Sequence, residues 1–372
     1  MLIGVPKEIK VHEYRVGLTP DSVREFVSHS HRVLVETNAG IGIGSSDDDY
    51  QAAGADIAPT ASDIFAKADM IVKVKEPQAV ERQMLRPGQI LFTYLHLAPD
   101  PDQTRDLVNS GAICIAYETV TDGQGGLPLL APMSQVAGRL SIQAGAVALE
   151  RAKGGRGILL GGVPGVAPAK VVVIGGGVVG ENAIYMALGM AADVTVLDRN
   201  VGVLARLARR FGAALKTVYS TQAALEEYVL QADLVVGGVL VAGAEAPKLV
   251  TRDLVRRMKP GTVLVDVAID QGGCFETSHP TTHAEPTYVV DGVVHYCVAN
   301  MPGAVPNTST YALNNVTLPY ALALADKGYK KALLDNPNFL EGLNVCQGKV
   351  TYKAVADELG YEYVDPRVAL AG

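Results

Sequence analysis

The stretch Lys170-Val-Val-Val-Ile-Gly-Gly-Gly-Val-Val-Gly180 decides how the rest of the chain is read. A β-branched apolar run stops at a cluster of glycines, and a helix-forming segment follows. A second apolar run, Val194-Thr-Val-Leu, then ends at Asp198. Gly175, Gly177 and Gly180 have the G-x-G-x-x-G spacing. The acid falls about 20 residues on, where a dinucleotide-binding βαβ unit carries its ribose ligand. Gly175 permits the tight turn, Gly177 lets the backbone approach a pyrophosphate, and Gly180 lets helix and sheet pack closely. The helix N-terminus offers unpaired N–H groups to phosphates. Asp198 accepts from a ribose diol and repels a 2′-phosphate, which favours NAD over NADP; the adjacent Arg199 works the other way. A bare glycine turn with a solvent-facing aspartate is the competing reading. The order of strand, glycines, helix and acid weighs against it.

Around this unit the chain has 372 residues, enough for two domains. It is 48% hydrophobic and 19% charged, as soluble globular chains are. A net charge of −7 without a basic cluster argues against a nucleic-acid partner. No apolar run approaches the roughly 20 residues of a membrane span, and the N-terminus shows no leader, so a cytoplasmic protein is expected. Cys114, Cys274, Cys297 and Cys346 lack metal or redox spacing and read as buried thiols.

Before the glycine turn, Leu2–Val5, Arg32–Val35, Met70–Val74, Ile90–Phe92 and Ile113–Ala116 read as strands. Asp21–His29, Ala61–Lys67, Ala79–Met84 and Asp102–Ser110 read as the helices between them, with Thr19 as an N-cap and Pro20 opening the first. Met133–Lys153 and Thr308–Leu324 read as long helices. Leu234–Gly237, Val263–Asp266 and Val294–Tyr296 read as later strands, and the tail as helical with a turn at Asn336–Asn338. Alternating strands and helices predict an α/β fold: two Rossmann-like domains with mostly parallel sheets, separated by a cleft. Residues 1–128 with 307–372 would form one domain and 129–306 the dinucleotide-binding one.

Several polar residues stand where a cleft would be. Arg15, just before a helix, reads either as a bidentate holder of a substrate carboxylate or as a surface arginine. Lys75 shares a strand face with Lys73 and reads as a substrate-facing or an edge-strand lysine. His96 ends an apolar run, as a general acid/base or a core histidine. Asp270 reads as a cofactor-face carboxylate or a turn aspartate, with Asp266 as its competitor. His279 and His283 are four apart, but Pro280 breaks the helix that would pair them, so no metal is expected.

Taken together, Gly4-Val-Pro-Lys-Glu-Ile9, Glu13-Tyr-Arg-Val-Gly-Leu-Thr-Pro20, Val72-Lys-Val-Lys-Glu-Pro77, Tyr94-Leu-His-Leu97, Pro132-Met-Ser-Gln-Val-Ala-Gly138, Gly175–Gly180 and Val265-Asp-Val-Ala-Ile-Asp-Gln-Gly272 resemble the bacterial L-alanine dehydrogenase family. That family is related to the nicotinamide-binding subunit of the proton-pumping transhydrogenase. The resemblance covers essentially the whole chain. It implies that Arg15 and Lys75 bind the substrate carboxylate and carbonyl, that His96 is the acid/base and that Asp270 is the second catalytic group. It implies cofactor contacts at Ser134, Asp198, Ser220, Val239, Leu240, Val267, Ala268, Ile269, Asp270, Val298, Ala299, Asn300 and Met301. It also implies NAD as cofactor, L-alanine, pyruvate and ammonia as reactants, and a homo-hexamer. The chain departs from the family at His12 (usually Asn), Gly17 (usually Ala), Val203 (often basic, with Arg199 or Arg206 as substitutes) and Ala191 (usually Gly, read as a packing detail). The rival readings are a transhydrogenase soluble subunit, an opine- or lysine-forming relative, and a nucleotide-binding protein without turnover.

Overall fold

The computed structural model describes residues 1–239 and 246–371. Its backbone divides into two compact units, Met1–Met133 with the segment from Val305 on, and Ser134–Ala304. In chain order the strands are β1 (Leu2–Val5), β2 (Arg32–Glu36), β3 (Asp56–Ala58), β4 (Met70–Val72), β5 (Ile90–Thr93), β6 (Ile113–Ala116), β7 (Lys170–Ile174), β8 (Asp193–Asp198), β9 (Leu215–Tyr219), β10 (Leu234–Gly237), β11 (Val263–Asp266), β12 (Thr287–Val290), β13 (Val293–Tyr296), β14 (Leu343–Cys346) and β15 (Lys349–Val350).

In the first unit the described strands form an eight-stranded sheet, ordered β15-β14-β6-β5-β4-β1-β2-β3. β1 to β6 pair in parallel, while β14 and β15 add antiparallel at one edge. The second unit has a seven-stranded sheet, ordered β12-β13-β11-β10-β7-β8-β9, in which only the β12–β13 pair is antiparallel. Both units are therefore α/β with mostly parallel sheets. In each, the chain winds outward from a central strand (β1 or β7), then returns to that strand's other side (β4 or β10). Connections leave the two strands at such a reversal toward opposite faces, opening a crevice beyond their carboxyl ends.

Local sequence explains the elements. β4, β5, β6, β10 and β11 are buried along their full length, so they read as unbroken apolar runs with no alternation. Thr19 caps the helix Pro20–Ser28 by accepting from the Ser22 N–H at 3.2 Å, with Pro20 at the first helical position. All four cysteines are buried thiols. No helix among the described residues is long and apolar enough to cross a membrane.

Five strands escape the sequence reading. β3, β9, β12 and β15 are short or polar and lie at or next to sheet edges, where one side of the ladder asks for little apolar surface. β14 lies in the tail that reads as helical; its apolar run is too short for periodicity to separate strand from helix, and pairing with β6 decides it. The helix expected over Met133–Lys153 runs Ala131–Ala148, and a separate 3₁₀ turn covers Arg151–Lys153. β4 ends at Val72, so Lys73 and Lys75 lie beyond the strand and do not share its face. β4 is also interior to the sheet, between β5 and β1, which removes the edge-strand reading of Lys75.

His295 is buried in β13, with Nδ1 3.0 Å from the Val293 carbonyl and Nε2 2.7 Å from Thr277 Oγ1. A carbonyl only accepts, so Nδ1 donates to it and Nε2 accepts from the hydroxyl. Burial holds this imidazole below its ordinary pKa of about 6.5. Below about pH 6.5 the unfolded chain takes up a proton there that the folded chain does not, so folding stability falls as pH drops through that range. Denaturant titrations from about pH 7 to pH 5 are expected to show this loss, and His295→Gln to flatten it.

Candidate active site

At the reversal point of the first unit, the segment after β1 carries Glu8 and the segment after β4 carries Lys73 and Lys75. Glu8 Oε1 accepts from the Val74 and Lys75 N–H groups at 2.7 and 3.2 Å, and Oε2 from Lys73 Nζ at 3.0 Å. Lys73 is fully buried and also meets Glu81 at 2.8 Å. Burial pulls the Lys73 pKa down, but the two carboxylates outweigh it and the ammonium is held charged above its ordinary value. Burial raises Glu8, against the pull of Lys73. Lys73 is thus consumed by the fold, whereas Lys75 is half-buried, its ammonium 3.9 Å from Glu76. Thr93 Oγ1 donates to the Lys75 carbonyl at 3.0 Å.

Arg15 is not a surface residue: it is 2% exposed. Its Nε and Nη2 donate to the two oxygens of Glu13 at 2.7 and 2.6 Å, and Nη1 to Met133 Sδ at 3.1 Å. Burial works against the guanidinium, and Glu13 more than restores it. The bidentate edge expected to grip a substrate is therefore the one that grips Glu13.

His96 is not a core residue either. It follows β5 on a turn with φ +51°, and its side chain is 45% exposed. Its N–H donates to Glu118 Oε1 at 2.6 Å. The Tyr94 ring lies parallel to the imidazole, 5.8 Å away, and the Tyr94 hydroxyl donates to the Leu129 carbonyl at 2.6 Å.

In the second unit the glycine turn leaves β7. Gly175 has φ +95°, a left-handed conformation that side chains resist. A Cβ at Gly180 would lie 1.8 Å from the Gly175 carbonyl oxygen, so helix and turn meet only because the residue is glycine. A Cβ at Gly177 would meet open space, and no side chain caps the helix Val178–Gly189 that Gly177 starts. Uncapped N–H groups facing open space fit a pyrophosphate. Asp198, at the end of β8, accepts from the Gly176 N–H through Oδ2 and the Asn200 N–H through Oδ1, both at 2.7 Å. A carboxylate has about four acceptor positions, so capacity for a ribose diol is left. Arg206 pairs with Glu181 and donates to the Gly176 carbonyl at 3.0 Å, and Arg210 pairs with the same acid. Arg206 is therefore already committed, while Arg199 is exposed.

The two candidate aspartates separate cleanly. Asp266 is fully buried and accepts from the N–H groups of Ala268, Cys274 and Phe275 and from the Ser278 hydroxyl, the last at 2.6 Å. It ties down the turn beyond β11. Asp270 stands exposed on that turn, in the 3₁₀ segment Ile269–Gln271. Val267 and Ala268 are half-buried there and Ile269 is buried. Ser134 opens the second unit half-buried; Ser220 follows β9 and donates its N–H to the Asp198 carbonyl at 3.0 Å; Val239 follows β10 next to Gly175. Leu240 lies outside the described residues. After β13, Val298 and Met301 are buried and Ala299 and Asn300 half-buried, Asn300 at φ +62°. His279 stacks on Tyr288 at 3.7 Å, and His283 Nε2 meets the Asn300 carbonyl at 3.2 Å.

Arg15, Lys75 and His96 thus belong to the first unit, and Asp270 with the glycine turn and Asp198 to the second. Reading the sequence missed the acids that hold these groups: Glu8, Glu13 and Glu118. Glu8 stands three residues beyond β1 and Glu118 two beyond β6, a position that could have flagged them; Glu13, eight beyond β1, carries no such signal.

These features define a class of protein: a two-unit α/β chain with a glycine turn and an uncapped helix N-terminus in one unit, and Arg15, Lys75 and His96 on acid-braced segments in the other. Family profiles narrow it. "Alanine dehydrogenase/PNT, N-terminal domain" matches residues 4–137 and "Alanine dehydrogenase/PNT, C-terminal domain" matches 141–353. A protein from Halomonas elongata named alanine dehydrogenase is 64% identical over 98% of each chain. A solved L-alanine dehydrogenase structure superposes with a TM-score of 0.94 at 53% identity, covering 97% of this chain and 99% of that one. A transhydrogenase structure from Sinorhizobium meliloti shares the fold, with a TM-score of 0.82 at 24% identity, over 95% of this chain and all of that one. The chain belongs to the alanine dehydrogenase/PNT family.

Lys73→Met leaves Glu8 and Glu81 buried without their cation; such a loss costs about 3–5 kcal/mol, and denaturant unfolding is expected to show it. His96 and Ala191 both hold left-handed backbone, at φ +51° and +60°. Glycine at either position relieves about 1 kcal/mol of strain, so His96→Gly and Ala191→Gly are each expected to raise the thermal midpoint.

Proposed function

We propose that the protein is an NAD-dependent L-alanine dehydrogenase: L-alanine, NAD and water give pyruvate, ammonium, NADH and a proton, reversibly. Full-length likeness to proteins named alanine dehydrogenase carries this reading. The local geometry supports it, with a phosphate-ready glycine turn in one unit and Lys75 and His96 presented on braced turns in the other. The nicotinamide, when bound, accepts the hydride that leaves the substrate α-carbon. Lys75 and the Arg15 cation meet the substrate carboxylate and carbonyl, and they hold the α-carbon in a reactive pose. His96 takes and returns the proton as water adds to the imine and ammonia leaves, and Asp270 assists from the exposed turn beyond β11. Gly177 admits the pyrophosphate, on the turn that Gly175 permits and the helix that Gly180 lets pack closely, and Asp198 binds the ribose, with Ser134, Ser220, Val239, Leu240, Val267, Ala268, Ile269, Val298, Ala299, Asn300 and Met301 as further cofactor contacts. Asp198 and the commitment of Arg206 to Glu181 support NAD over NADP. A cytoplasmic homo-hexamer completes the reading.

The test is a panel of 2-oxo acids with ammonium and either NADH or NADPH. Oxidation of NADH that requires both pyruvate and ammonium is expected, with NADPH much poorer. His96→Ala is expected to lose about 100-fold or more in kcat, as removal of a general acid/base does. NADH oxidation indifferent to ammonium, or an active His96→Ala enzyme, would refute the corresponding part.

A further inference from the structure

His96 stands on backbone that an L side chain does not choose unaided. Two consecutive N–H groups, of Leu95 and His96, point at one carboxylate. Glu118 Oε1 receives His96 N–H at 2.6 Å, and its two oxygens share Leu95 N–H at 3.2 Å each. Successive N–H groups converging on one anion are what a turn ending in left-handed backbone produces. Glu118 comes from the neighbouring strand's end, in the short turn Tyr117–Thr119 beyond β6, and its side chain is only 13% exposed. Among the described residues no lysine or arginine pairs with it; its one ion-pair neighbour is His96 Nδ1, at 3.9 Å. The other braces of this turn act on carbonyls: Gln103 Nε2 donates to the Leu95 oxygen at 2.5 Å and Thr104 Oγ1 to the Leu97 oxygen at 3.0 Å.

We propose that Glu118 is the positioning residue for His96: its carboxylate holds the left-handed turn that presents the imidazole, and turnover depends on it through that presentation. The proposal rests on the acid/base role of His96 given above. Without the acceptor, both N–H groups must find water, and the backbone can relax to an ordinary conformation that carries the imidazole away. A displacement of about 1 Å at a reacting group can cost on the order of 100-fold in rate.

The experiment compares E118A, E118Q and H96A in pyruvate amination, with NADH affinity read by fluorescence titration and folding by thermal melting. E118A is expected to lose at least about 30-fold in kcat while NADH Kd stays within about twofold and the melting point within a few degrees. E118Q keeps an amide oxygen for the His96 N–H and is expected to return to within about fivefold of wild type. The proposal is overturned if E118A stays within about threefold of wild type, if NADH affinity or melting falls in step with kcat, or if E118Q is as poor as E118A. H96A separates the two readings. Should H96A retain its kcat, the acid/base assignment fails and this proposal with it. Should H96A lose kcat while E118A does not, only the role of Glu118 fails.

Discussion

A strand that ends inside a parallel sheet leaves peptide N–H groups pointing at no neighbour, and a buried N–H without an acceptor is costly. In this chain carboxylates supply the acceptor at one strand end after another. Glu36 receives Lys7 N–H beyond β1, Glu8 receives Val74 and Lys75 beyond β4, and Glu118 receives Leu95 and His96 beyond β5. In the second unit Asp198 receives Gly176 beyond β7, and Asp266 receives Ala268, Cys274 and Phe275 beyond β11. A charged acceptor makes a stronger hydrogen bond than a neutral one. The turns that present Lys75, His96, the dinucleotide glycines and Asp270 are all held in this way.

The same constraint divides residues that chemistry alone would group. Lys73 and Lys75 are two apart, yet Lys73 is locked between Glu8 and Glu81 while Lys75 stays partly open. Asp266 and Asp270 are four apart, yet Asp266 spends its oxygens on the backbone and Asp270 stands at the surface. In each pair one member builds the turn and the other is displayed on it. Arg15 shows a third case, a cation whose bidentate edge is bound by the nearby Glu13 and whose charge is thereby kept in a buried place.

The departures from the family pattern gain a physical meaning from the backbone. His12 and Ala191 stand where relatives usually carry Asn and Gly, and both positions have positive φ, +59° and +60°. Asn and Gly are the residues that tolerate that region best, so what reads as a packing detail at Ala191 is a backbone preference. Gly17 stands where Ala is usual, and here a Cβ would lie 2.3 Å from the Val72 carbonyl oxygen at the end of β4. Val203 packs over Gly176, whose absent Cβ would sit 2.7 Å from it, so the position serves the glycine turn.

The interior parallel strands and the glycine turn were legible because each rests on local pattern: unbroken apolar runs, fixed glycine spacing, and an acid at the end of the next strand. Those patterns by themselves determined the α/β class and the dinucleotide unit; they left Arg15, Lys75, His96 and Asp270 as candidates with structural readings beside them, and the family resemblance chose among those readings. The edge strands, β14 in the tail, and the distinction between structural and presented charges were not legible. They depend on what lies opposite a residue in space. Only the tertiary structure brings Glu8 to Lys75, from 67 residues away, and Glu118 to His96, from 22 away. Acceptors that distant leave no local pattern, because the N–H groups they satisfy become neighbours only when the sheet is assembled.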